Sequence, residues 1–329
     1  PALRKNNKVL DENGSASIYD MGDGVLGVEF HTKMNAIDED MGTMLAKALE
    51  EAQKNFRALV IGNEAPNFSA GANVFMMVMA ARMGQWDVIN QQVHGLQQLN
   101  LSLKYSPTPV VVATAGLALG GGCEFVMHSS KTRAAAESYI GLVEVGLGLL
   151  PAGGGCKEML ARWAKSHEKG PFPPVRHAFE LIATATTSTS AAQALEYRFL
   201  RKEDAITLDR ERLLTDAKAD AIALADAKAQ GKWQPPERPT FHLPGPGART
   251  VLEEQARGLY LQGKVSEHDL TVAGQVARVL TGGDTWFMRE MSEQDVLDLE
   301  REGFLHLLGT EKTQERIAHF LQTGKPLRN

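Results

Sequence analysis

Two glutamates stand where a globular chain would ordinarily place apolar residues. Glu124 lies among Cys123, Phe125, Val126 and Met127, and Glu144 interrupts the apolar run Ile140–Leu150. An ionisable group in such company is costly unless it is paired or put to work, and buried carboxylates of this kind are candidates for general acid–base catalysis. Just ahead of Glu124 comes Gly120-Gly-Gly122. That run leaves the backbone bare where a strand gives way to a helix, so an N–H near Gly121 can approach a ligand oxygen closely, with the helix dipole behind it. Glu124 falls about one turn beyond Gly121 on the same helix face, which sets a carboxylate beside whatever that amide polarises. Each reading has a plainer rival. The Gly run could be tight packing, Glu124 a buried carboxylate tied to Lys131 or Arg133, and Glu144 a solvent-facing loop residue.

The elements that must position these groups follow from hydrophobic periodicity. Val25–Phe30 and Ala58–Gly62 read as strands, separated by a helix that Asp38 caps and that carries Met41, Met44, Leu45, Ala48, Leu49 and Ala52 on one face. After another helical stretch, Pro109–Thr114 is a continuous apolar strand, the Gly run comes next, and Cys123–Ser130 reads as a buried helix. Thr132–Ser138 gives a further strand, and Gly153-Gly-Gly155 opens a helix through Trp163. Strand alternating with helix favours parallel pairing with both sheet faces covered. The polar, Pro-rich stretch from Lys165 to Pro174 and the Pro/Gly-dense stretch Gly231–Gly247 read as connections. Between and beyond them the pattern is helical: Ala191–Leu200, Asp209–Gln230, Thr250–Gln262, His268–Leu280, Glu293–Leu308 and Thr310–Gln322.

Three segments, Asn67-Phe-Ser-Ala-Gly-Ala-Asn73, Gly116-Leu-Ala-Leu-Gly-Gly-Gly-Cys-Glu124 and Leu142-Val-Glu-Val-Gly-Leu-Gly-Leu-Leu-Pro151, occur in that order together with an Asn35-Ala36 turn. From about Val25 to Trp163 the chain resembles the crotonase superfamily, and more weakly so in its helical tail. The resemblance implies an α/β fold, the crotonase (ClpP-like) spiral of ββα units, with a helical C-terminal extension. It implies an oxyanion hole made by the amides of Gly121 and Ala72 around a thioester carbonyl, with Glu124 and Glu144 sharing a water. The activity implied is enoyl-CoA hydratase, syn addition of water to a 2-trans-enoyl-CoA in fatty-acid β-oxidation, with Glu124 assigned to the water and Glu144 to Cα. Substrate contacts are expected at Lys33, Met34, Ala70, Gly71 and Ala152. Met76, Met77 and Met79 are expected near the acyl chain, where flexible thioethers suit variable tails, although core filling is the commoner use of such a cluster. The chain departs from the family pattern in Gly-Ala-Asn at 71–73, in Thr114-Ala-Gly116 and in Cys156-Lys-Glu158. None touches the two glutamates.

The opening Leu3–Lys8, Tyr19–Gly24 and the Phe30–Asn35 turn resemble the hydratase half of bacterial fused 3-hydroxyacyl-CoA dehydrogenase/enoyl-CoA hydratases. The corresponding division is 1–15 as linker or the end of a preceding domain, 16–200 as core with an insertion at about 165–176, and 201–329 as a helical region. On that resemblance a dehydrogenase domain precedes the chain in its parent, and self-association into a homo-oligomer is expected.

Composition bounds the alternatives. The 329 residues carry 35 basic and 40 acidic side chains, a net charge of -5 without blocks, and Lys/Arg do not interleave with aromatics, which argues against a nucleic-acid partner. No run of about 18 apolar residues suits a membrane span. The two cysteines, Cys123 and Cys156, have no CxxC partner, and the nine His lack HxxxH or HExxH spacing, so no metal is expected and a cytoplasmic location is the default. Gly146-Leu-Gly148-Leu-Leu-Pro151 puts Pro where a dinucleotide loop needs its third Gly, and the Gly116–Gly122 run lacks the Lys-Ser/Thr of a phosphate loop. No cofactor is expected, since coenzyme A enters with the substrate. Two rivals remain: an enoyl-CoA isomerase on the same oxyanion hole, and a non-catalytic acyl-CoA-binding or docking module.

Overall fold

The computed structural model describes residues 5, 7–165 and 169–329. In chain order its elements are β1 (Lys8–Glu12), β2 (Ala16–Asp20), β3 (Val25–Phe30), α1 (Glu39–Asn55), β4 (Ala58–Ile61), α2 (Val74–Arg82), α3 (Trp86–Lys104), β5 (Val110–Leu119), α4 (Gly121–Met127), β6 (Lys131–Gly141), α5 (Gly155–Trp163), α6 (Phe172–Ala183) and α7 (Ala191–Glu196). There follow β7 (Ala205–Thr207), α8 (Leu213–Ala229), β8 (Thr240–His242), α9 (Gly245–Leu261), α10 (Glu267–Leu280), β9 (Glu290–Ser292), α11 (Glu293–Leu308) and α12 (Glu311–Thr323). They group into two compact units interleaved in sequence, one of residues 1–72, 98–141 and 187–237, the other of 73–97, 142–186 and 238–329.

The first unit is built on a seven-stranded sheet in the order β1-β2-β3-β4-β5-β6-β7. β1, β2 and β3 pair antiparallel; from β3 to β7 every pairing is parallel. Alternate strand residues Val25, Ala58, Val60, Val111, Ala113 and Ala135 pack on Leu213, Ala217, Ala221 and Ala225, which recur every four residues along α8. Their neighbours Leu26, Leu59, Ile61, Val110 and Val112 are equally buried, so both faces are covered and the strands read as unbroken apolar runs. Asp38 caps α1, accepting from the Met41 N–H at 2.8 Å.

β5 runs five residues beyond the Thr114 at which it was expected to end. A bulge between Thr114 and Gly116 lets it do so, and Gly116 takes φ +58° where a Cβ would collide with the Pro66 carbonyl. β1 and β2 were not foreseen, because β1 alternates between exposed and half-buried residues without an apolar stripe. Of the segment 1–15, residues 1–4 and 6 lie outside the described residues.

In the second unit the connection expected over 165–176 is shorter. Pro173 and Pro174 belong to the first turn of α6, where a missing N–H costs nothing; residues 166–168 lie outside the described residues. The stretch Gly231–Gly247 likewise holds β8, which pairs antiparallel with β9, and the start of α9. A buried ion network joins α5 to α11: Lys157 Nζ lies 2.6 Å from Glu158 and 3.0 Å from Glu293. Burial alone would pull that ammonium's pKa down, but the two carboxylates hold it above its ordinary value. Among the described residues no helix is long and apolar enough to cross a membrane.

Phe68, in the loop that precedes Ala70-Gly71-Ala72, is fully buried against Phe30, whose ring also meets Phe125 beside Glu124; the centroid separations are 5.8 and 6.2 Å. Phe68→Ala is expected to lower unfolding free energy by about 3–5 kcal/mol. A urea titration followed by circular dichroism checks this, and a midpoint equal to wild type would contradict it.

Candidate active site

Seven of the expected residues, Lys33, Met34, Ala70, Gly71, Ala72, Gly121 and Glu124, belong to the first unit. Met34 and Asn35 sit in successive left-handed conformations, φ +58° and +50°, a strain that persists only where its surroundings enforce it. Here Asn35 Nδ2 donates to the Asn67 carbonyl at 2.9 Å, Ser69 Oγ donates to the Asn35 carbonyl at 2.7 Å, and the Ala70 N–H donates to the Met34 carbonyl at 3.1 Å. Lys33 and Met34 are exposed on this turn. The Gly71 carbonyl accepts from the Ile37 N–H at 2.9 Å, so the Ala70-Gly71-Ala72 loop is tied to the turn at both ends.

That loop then meets the start of α4. A Cβ on Gly71, at φ +99°, would stand 3.1 Å from the Leu119 carbonyl and 3.6 Å from the Gly121 nitrogen. One on Gly121 would stand 3.7 Å from the Ala72 nitrogen and 3.9 Å from Glu124 Oε2. The backbones at Gly121 and Ala72 and one glutamate oxygen therefore lie close together, with Ile37 Cδ1 closer still, 2.9 Å from where a Gly121 Cβ would stand. Gly121 opens its helix, where the first N–H groups have no intrahelical acceptor. Glu124 is 2% exposed, and its own N–H is spent on the Gly120 carbonyl at 3.0 Å. Lys131 and Arg133, the cations that could have claimed it, instead hold Asp220 at 2.8 and 2.6 Å.

Glu144, Ala152, Met76, Met77 and Met79 belong to the second unit. Glu144 opens a single 3-10 turn, Glu144–Leu147, that ends on Gly148 at φ +80°. It is half-buried with Oε2 shielded from solvent, which departs from a freely solvated loop residue. Ala152 is buried, and its carbonyl accepts from Gln97 Nε2 at 2.8 Å. Glu300 accepts from the Gly154 and Lys157 N–H groups at 2.8 and 2.7 Å, so the Gly run that opens α5 already has its acidic partner. Met76 and Met79 are 59% and 40% exposed on α2, whose buried face is Val78 and Ala81. They are not core. A cavity of about 530 Å³ in this unit has other walls, among them Val145, Phe179, Leu259 and Val272.

Sequence reasoning missed the residues that hold these segments. Thr313 Oγ1 donates to the Gly148 carbonyl at 2.8 Å, and His268 Nε2 lies 2.8 Å from that hydroxyl. Gln97, Glu300, His268 and Thr313 lie on helices far away in sequence, where nothing distinguishes them from other polar helix positions.

Residues 20–168 match the family model described as enoyl-CoA hydratase/isomerase. The crystal structure of an enoyl-CoA hydratase from Bacillus halodurans aligns with a TM-score of 0.61 at 16% identity, over 93% of this chain and 100% of that one. The chain has the crotonase fold. Over all 329 residues it is 40% identical to a Bacillus subtilis (strain 168) protein named probable 3-hydroxyacyl-CoA dehydrogenase, of which it covers 41%. Over 138 residues, 41% of this chain and 43% of the relative, it is 32% identical to the mitochondrial methylglutaconyl-CoA hydratase of Mus musculus. The chain thus spans less than half the length of these relatives.

The His268 pKa lies below its ordinary value, first because the ring is buried and next because Arg316 and Lys312 of α12 repel a proton there, against weaker attraction from Asp269 and Glu315. A depressed histidine means that the unfolded chain binds the proton more readily. Stability is therefore expected to fall as pH drops below about 6.5, with a slope of up to about 1.4 kcal/mol per pH unit from this group, until the folded-state pKa is reached. Denaturant melts of wild type and His268→Gln between pH 5 and 7.5 check this; identical slopes would remove His268 from the account.

Proposed function

We propose that the chain is an enoyl-CoA hydratase that adds water reversibly and syn to 2-trans-enoyl-CoA, giving 3-hydroxyacyl-CoA. The observation that carries this reading is the nearness of the Gly121 and Ala72 backbones to the Glu124 carboxylate, in a chain that also has Glu144. On this reading the two amides bind one thioester carbonyl oxygen that becomes enolate-like in the transition state, where one such donor is worth about 2.7–4 kcal/mol. Glu124 takes a proton from water as the water oxygen bonds to Cβ. The π pair moves to the polarised thioester, and Glu144 delivers a proton to Cα as the enolate collapses. One carboxylate gains a proton and the other loses one, and an exchange between them or with solvent resets the pair. An isomerase moves a proton without adding water and needs only the position of Glu144; the retained Glu124 favours hydration.

The relatives' names fit this role. One is named a hydratase of a CoA ester. Another is named for a dehydrogenase whose substrate, a 3-hydroxyacyl-CoA, is what hydration produces. We read the chain as the hydratase part of a longer protein of β-oxidation, in which a dehydrogenase part acts next. On this reading the enzyme is a cytoplasmic homo-oligomer that binds coenzyme A only as part of its substrate. Lys33, Met34, Ala70 and Gly71 hold the coenzyme A part, Ala152 helps hold the water, and the exposed thioethers of α2 border the acyl tail.

Loss of the conjugated thioester absorbance on adding the protein to crotonyl-CoA tests the reading. Wild type is expected to turn over, while Glu124→Gln and Glu144→Gln each lower kcat by roughly 10²–10⁴-fold with binding retained. A wild type that shifts a 3-enoyl-CoA double bond without hydrating crotonyl-CoA would be an isomerase. Binding of either ester without turnover would leave an acyl-CoA docking module.

A further inference from the structure

We infer that Thr313 and His268 are positioning residues for the reaction, acting through the last carbonyl of the turn that carries Glu144. The inference rests on the hydratase reading for the role of Glu144, and on geometry for everything else. A lone 3-10 turn has few hydrogen bonds and poor intrinsic stability. This one is closed by backbone bonds: the Gly148 N–H donates to the Glu144 and Val145 carbonyls, and the Leu149 N–H to the Glu144 carbonyl at 3.1 Å. A group that must place a proton on carbon needs firmer support.

Thr313 and His268 supply it from α12 and α10. Thr313 is fully buried and His268 is 3% exposed, so little water competes for their hydrogen bonds. The threonine hydroxyl has one hydrogen, and the Gly148 carbonyl, which can only accept, takes it at 2.8 Å. The 2.8 Å contact from His268 Nε2 to the same oxygen must then be a donation from the ring. The direction of the relay is fixed: imidazole N–H to hydroxyl, hydroxyl to carbonyl. The close approach requires glycine at 148, since a Cβ there would stand 2.7 Å from Thr313 Oγ1 and 3.2 Å from His268 Nε2. Because the Glu144 carbonyl is bonded to the amides on either side of this anchored carbonyl, release of Gly148 moves the glutamate.

Thr313→Val keeps the shape and removes the donor. Crotonyl-CoA hydration by this variant is expected to show kcat down roughly 10–100-fold, in line with sub-ångström misplacement of a reacting group, with KM little changed. Thr313→Ser restores the hydroxyl and is expected to recover most of the loss. His268→Phe should fall with Thr313→Val, and the double variant should be no worse than either alone. If Thr313→Val does not fold, Thr313→Ser and Thr313→Cys are compared instead, and the weakly donating thiol is expected to be slower. A wild-type kcat in Thr313→Val, or equal kcat in the serine and cysteine variants, overturns the inference when Glu144→Gln is inactive in the same assay. If wild type shows no hydration at all, it is the hydratase reading that has failed.

Discussion

The first unit depends on one close approach of backbone to backbone. The loop Ala70-Gly71-Ala72 and the end of the strand before Gly121 come so near that a methyl group on Gly71, at φ +99°, would press on the Leu119 carbonyl, one on Gly122 would press on Ser69, and one on Gly121 would meet the Ile37 side chain. Much of the surrounding structure serves that contact. The parallel sheet brings β5 up to the turn, the bulge at Gly116 lets the strand run far enough, and two left-handed residues, Met34 and Asn35, are held so that the first turn can tie the loop down. Three phenylalanines fill the space beneath.

How far the sequence reveals this follows from what each part needs. A Gly run where a strand meets a helix, or a carboxylate in apolar company, is unusual in itself, so Gly121, Glu124 and Glu144 stand out without coordinates, while Gly71 is singled out only through the family resemblance. β4, the first half of β5 and the helices α1, α10 and α11 are legible because burial on one or both faces imposes a period. β1, β8 and β9 are short, carry polar residues and have no period to read. The extension of β5 past Thr114 is hidden by a bulge, which shifts the alternation by a residue. Pro173 and Pro174 mislead because proline marks both a connection and the first turn of a helix.

The supports around Glu144 are hidden for a different reason. Gln97, His268, Glu300 and Thr313 bond to partners between 45 and 165 residues away along the chain, and a polar residue on a helix looks the same whether it faces solvent or a distant carbonyl. The same holds for Lys157, whose burial between Glu158 and Glu293 gives α5 and α11 a fixed relation. A buried pair of this kind adds less net stability than its short distances suggest, because desolvation offsets much of the attraction. What it enforces is register: a slipped helix would strand a charge.

An open sheet must end somewhere, and the ends of this one have a bearing on how the chain behaves when crowded. β1 carries Lys8, Asp11 and Glu12 along an outer edge only five residues long, with Asp11 paired to Lys47, and β7 at the opposite edge is three residues long. Neither edge offers a long, flat, apolar row of free amides and carbonyls, which is what an incoming strand from another molecule needs in order to add on. The parallel strands between them, Val/Ile/Ala-rich and the most amyloid-like stretches of the chain by composition, are thus shielded laterally. At high concentration the folded protein is protected from sheet-to-sheet polymerisation by its least conspicuous strands.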